Sequence, residues 1–256
     1  MKLSILFFCL ALGPMQADDD WTPGIPDPNK VLDEAQEDTR AGRYEDALKK
    51  FVWFHENALT FEPAMVGVRL SFALGYWGQL AQEYPPAKAK LVEFRDEAKK
   101  DILAGKKVFQ TFSDFEAINR QLGQSEKTKD VFVELDKSNP KIAKNIFRLA
   151  KKSLVEAKMF DLMAKYVQPK DFDMMKMAFQ MGRRISDDER FGKQHLDFIN
   201  KKFANDVETL VALLSRSDRQ ESADKIAQEA KELWDDAEFH KALARSAKGE
   251  VPAPWP

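Results

Sequence analysis

The residues able to do chemistry in this chain are few and far apart. Its three histidines stand at 55, 195 and 240. His55 opens the run HENAL as a zincin helix opens, but Leu59 fills the position where a second histidine must lie. Zinc needs both imidazoles on one helical face, so the motif fails. The run AGKK at 104–107 lacks the upstream glycine and the Ser/Thr of a phosphate loop. No Gly-x-Ser-x-Gly elbow occurs. The acids at Asp18–Asp20 lack the alternating ligands and glycine turn of a calcium loop. Carboxylates are spread along the whole chain, so none stands out as half of a glycosidase pair. Nothing in this inventory calls for a cofactor or a catalytic role.

The methionines are less ordinary. Six of the nine fall within residues 159–181: Met159, Met163, Met174, Met175, Met177 and Met181. Thioethers bind soft Cu(I), and flexible apolar side chains also make adaptable binding surfaces. Met174, Met177 and Met181 recur at i, i+3 and i+7 beside Phe172, Ala178 and Phe179. A helix apolar nearly all round is usually buried, so core packing is the expectation for this segment.

The ends of the chain carry an address. Residues 1–17 read as a secretory signal: Lys2, an apolar run from Leu3 to Leu12, the Gly13-Pro14 break, and Ala17 before a cut. The run is too short to span a bilayer, and Phe8 before Cys9 does not fit a lipobox. Export to a periplasm or the medium follows, with no stable membrane insertion after cleavage. Cleavage removes Cys9, the only cysteine, and with it any disulfide or thiolate site. None of the seven asparagines begins a glycosylation sequon. Without Lys2 the chain carries 39 basic and 42 acidic residues, near −3, a balance that gives no electrostatic argument for nucleic acid.

Between these ends the pattern is helical. Residues 18–29, rich in aspartate and proline, predict an extended leader; 30–247 form the helical domain; 248–256, with prolines at 252, 254 and 256, predict a non-helical tail. Trp255 makes that tail either a free end or a segment docked on the domain or on a partner. Tyr44, Ala47/Leu48 and Phe51/Val52 form one helical stripe, and Gly42 suits the turn out of an earlier helix carrying Val31, Leu32 and Ala35. A second helical unit runs from Val68 to Ala81, and its partner starts at Pro85-Pro86 with Ala87, Leu91 and Phe94 facing inward. Tyr44, Ala47 and Phe51 map onto Tyr84, Ala87 and Leu91 at a shift of 40. Phe160, Met163 and Val167 give a further copy, Ala223, Ala227 and Ala230 a weaker one, and Asn139-Pro140 a stop between hairpins.

On Gly42, Tyr44, Ala47, Leu48, Phe51, Leu74, Gly75, Tyr84 and Ala87 the chain resembles the tetratricopeptide-repeat family. The likeness is strong over 30–104, partial over 113–167 and faint over 204–232. The spacings are 40, 76 and 60 residues against the family's 34, and the tryptophan often found near the start of its first helix is missing. The resemblance implies an all-α, right-handed solenoid of about five or six antiparallel helical hairpins. It also implies a concave groove, lined by first-helix residues, that takes a protein or peptide. Arg69, Phe72, Tyr76 and Gln79 at i, i+3, i+7 and i+10 mix charge, aromatic and amide on one stripe. Asn145, Arg148 and Lys152 form a polar, basic stripe suited to a carboxylate. The competing reading buries Phe72 and Tyr76 and leaves the basic residues merely solvated. A non-catalytic scaffold is thus the expected role. A hydrolase of envelope carbohydrate, or a small-molecule or Cu(I) carrier built on Met159–Met181, are the alternatives. Partner identity and oligomeric state are not legible.

Overall fold

Pro28 opens the first helix at the position where its missing N–H is not needed, and Asp27 caps that helix. The Asp27 carboxylate accepts from the N–H groups of Asn29 at 3.0 Å and Lys30 at 3.3 Å. The computed structural model describes residues 21–186 and 192–254; the signal, Cys9, the Asp18–Asp20 run and Trp255 lie outside them. Among the described residues the fold is all helix and turn, with no strand. None of the described helices is long and apolar enough to cross a membrane. The chain divides into two compact units, with the boundary between Glu93 and Phe94.

The first unit begins with a hairpin of α1 (Pro28–Arg40) and α2 (Tyr44–Phe61). Gly42 makes the turn at φ +74°, a left-handed conformation that suits glycine. Val31, Leu32 and Ala35 of α1 and Ala47, Leu48 and Phe51 of α2 are buried where the two helices pack together. Asp38 is buried on α1 and takes Lys50 Nζ at 2.5 Å and Arg43 Nε at 2.7 Å. Burial would raise its carboxyl, but these two cations outweigh it and hold the group below its ordinary value. Trp21, in the non-helical leader, lies edge-on to Trp53 at 6.4 Å and under Lys50 at 5.7 Å.

After α2 the chain coils through a 3₁₀ turn (Pro63–Met65), α3 (Val66–Val68), a π-helical turn (Arg69–Ala73) and α4 (Leu74–Glu83). The next helix, α5 (Pro85–Leu103), starts at the expected proline. Tyr44 and Tyr84, equivalent under the 40-residue shift, meet at 5.9 Å between ring centroids. Ala47, Ala87 and Leu91 have no exposed surface.

The second unit holds the rest of α5, then α6 (Val108–Gln121), α7 (Ser125–Ser138), α8 (Pro140–Glu156), α9 (Phe160–Ala164), α10 (Asp171–Ser186), α11 (Gly192–Ser215), α12 (Gln220–Leu233) and α13 (Ala237–Ser246). Asn139 ends α7 and caps α8, its side-chain oxygen taking the Ile142 N–H at 3.3 Å. α11 is the central element and packs against α9, α10, α12 and α13. Its Phe203 stacks on Phe179 of α10 at 4.0 Å and meets Phe239 of α13 at 5.8 Å. The copy at Phe160, Met163 and Val167 is not a full repeat helix: α9 ends at Ala164, and Val167 lies beyond it. The Ala223, Ala227 and Ala230 copy is the buried face of α12. The end of the chain is non-helical over 251–254 and docked: Val251 packs on the core, and Asn205 Nδ2 donates to the Ala253 carbonyl at 2.7 Å.

Candidate functional site

The first-unit stripe is built on the π turn. A π turn carries an extra residue and is frequent at functional sites. Here the extra residue turns Arg69 off the stripe and into the protein. Arg69 is 6% exposed; its Nε donates to the His55 carbonyl at 2.6 Å, and its Nη2 lies 3.2 Å from His55 Nε2. The expectation that Arg69 meets a ligand is therefore corrected: its guanidinium is spent on α2. His55 is equally buried, beside Trp77 at 6.0 Å. Burial first, and the Arg69 charge second, hold its pKa down at about 3.

The rest of the stripe faces outward. Phe72 is 65% exposed, Tyr76 is half-buried and Gln79 is exposed. The opposite face of α4 is fixed. Trp77 stacks on Phe51 at 6.1 Å and donates from Nε1 to the Ala87 carbonyl at 3.0 Å. Phe72 thus stands exposed on the turn that leads into α4, and the reading that buried it does not hold.

In the second unit Asn145, Arg148 and Lys152 are all exposed along α8. The reverse face, with Ala143, Ile146, Ala150 and Leu154, is fully buried. The stripe is not purely basic in its surroundings, because Glu116 of α6 feels the Lys152 charge. Glu116 is pushed up chiefly by burial, partly offset by Arg120 at 2.7 Å. Glu208 is likewise raised by burial, with Arg245 opposing. Neither glutamate lines the cleft described next.

The methionine segment divides in two. Met163 is buried and Met159 and Met175 are half-buried, as core packing requires. Met174, Met177 and Met181 are 56%, 66% and 62% exposed. The core expectation fails for these three because α10 packs on α11 through its other face, where Phe179 stacks on Phe203. Beside them lies an open cleft of about 400 Å³ lined by Phe179, Gln180, Arg183, Arg184 and Leu233. The Arg183 guanidinium sits over the Phe179 ring at 5.3 Å. Sequence reasoning passed over Arg183 and Arg184, whose signal was two adjacent arginines closing a methionine-rich helix. Among the described residues no three His, Cys, Asp or Glu side chains converge to hold a metal ion. No family model, curated protein or solved structure matches the chain.

Proposed function

We propose that the protein is an exported, non-catalytic binding module: a right-handed tetratricopeptide-like solenoid of about five or six antiparallel hairpins that holds a protein or peptide of the cell envelope. The observation that carries this reading is Phe72, exposed and in line with Tyr76 and Gln79 on a helix locked from behind by Trp77 and Arg69. A large aromatic presented at low entropic cost, beside a tyrosine and an amide, is what interface anchors are made of. The hairpin of α1 and α2 and the Tyr44–Tyr84 contact support the repeat architecture. Asn145, Arg148 and Lys152 on α8 offer a polar contact of their own, suited to carboxylates.

The test is affinity capture from the envelope fraction of the source cells. Bait is the chain from Asp18 onward, beside Phe72→Ser/Tyr76→Ala and Arg148→Glu/Lys152→Glu variants of equal helicity by circular dichroism. One protein held by the parent and weakened about tenfold or more in the aromatic variant, measured by calorimetry, supports the reading. Binding that neither variant changes would overturn it.

A further inference from the structure

The exposed face of α10 is self-complementary, and we propose that it pairs two copies of this chain, antiparallel, about a two-fold axis. Met174, Met177, Ala178, Met181 and Ile185 are all exposed on this helix. At about 100° per residue they form one apolar stripe three turns long. Buried partners on the other sides, Phe172 and Phe179, hold the helix in place.

The ends of the stripe carry opposite charge. Asp173 stands at its start and Arg184 at its end, both exposed, and neither has an ion-pair partner among the described residues. They are eleven residues apart, so they fall within about 20° of each other around the helix and ~16 Å apart along it. They share one flank.

That placement favours a second copy over an unrelated partner. When two identical helices pair antiparallel about a two-fold, each flank meets its own copy. Asp173 of each copy then faces Arg184 of the other, and the pair forms twice. A register that matches these charges also centres the stripe near Ala178, placing methionine against methionine. Unbranched thioethers interdigitate without a fixed shape requirement. Antiparallel alignment also sets opposite helix dipoles side by side.

The test is sedimentation equilibrium of the chain lacking only residues 1–17, which keeps every described residue. A reversible dimer with a Kd of ~10–100 µM is expected, as suits a small interface. Asp173→Arg and Arg184→Asp should each weaken it about tenfold, and the double swap Asp173→Arg/Arg184→Asp should restore it. Met177→Asp/Met181→Asp should abolish it while leaving helicity and the urea midpoint unchanged, since both side chains are exposed. A monomer throughout that range overturns the proposal. So does a dimer that ignores the single charge reversals, or one that the double swap fails to restore. None of these outcomes bears on capture through Phe72, so the two readings fail separately.

Discussion

Arg69 reaches back to α2 and closes on His55 twice, from Nε to the carbonyl at 2.6 Å and from Nη2 to the ring at 3.2 Å. A guanidinium only donates, so His55 Nε2 must accept, and the ring proton sits on Nδ1. The neutral ring is built into the fold. His55 takes a proton near pH 6.5 when unfolded but only near pH 3 when folded. Stability from this group is full above pH 6.5 and falls as the pH drops toward 3, because the unfolded state then binds the extra proton. Urea unfolding between pH 7 and 4 should show that loss, on the order of a few kcal/mol. His55→Gln should flatten the dependence, and an unchanged slope in that variant would sink the assignment.

Exposure separates two neighbours on the same turn. Arg69→Met removes both Arg69 contacts with His55 from inside the protein, and should cost about 2–4 kcal/mol. Phe72→Ser, three residues on, removes a side chain that is 65% exposed. It should stay within about 0.5 kcal/mol of the parent in chemical denaturation.

Gly182 sets the distance between α10 and α11. A Cβ there would meet three Ile199 side-chain atoms, at 2.6, 2.9 and 3.0 Å. Gly182→Ala should therefore destabilise by about 1–3 kcal/mol despite alanine's better helix propensity. Adding Ile199→Ala should recover part of that loss. A double mutant showing purely additive costs, read from urea midpoints, would refute the clash.

Tyr166 donates to Asp136, which also takes Lys165 Nζ at 3.1 Å. Burial and then the Asp136 hydrogen bond push the Tyr166 phenol well above its usual range. Burial would raise Asp136, but the Tyr166 and Lys165 bonds outweigh it and lower the carboxyl. The contribution of Asp136 is present above about pH 4 and is lost as acid protonates it. Tyr166→Phe should cost about 1 kcal/mol at neutral pH, less in acid, and remove a late-ionising component from an alkaline absorbance titration. Equal costs at pH 7 and pH 3 would contradict the pairing.

The sequence alone determined the helical character of the chain and several of its helix boundaries. Gly42 at φ +74°, Pro85 opening α5 and Asn139-Pro140 dividing α7 from α8 are local chemistry, legible without a fold. Ala47, Ala87 and Leu91 fall on stripes of helical spacing, and all three are buried. Tertiary structure decided which faces meet a neighbour. A period of 3.6 groups Met174, Met177 and Met181, but says nothing of whether a helix lies against them; α11 packs on the other face of α10, and the stripe is exposed. The candidate site was legible in part for a different reason. Arg69 was grouped with Phe72, Tyr76 and Gln79 on a regular helix, and the π turn puts it out of phase by about one residue, ~100°. That turn sends Arg69 inward to His55 and leaves Phe72 outside. The choice depends on packing between α2 and α4, which no local periodicity contains.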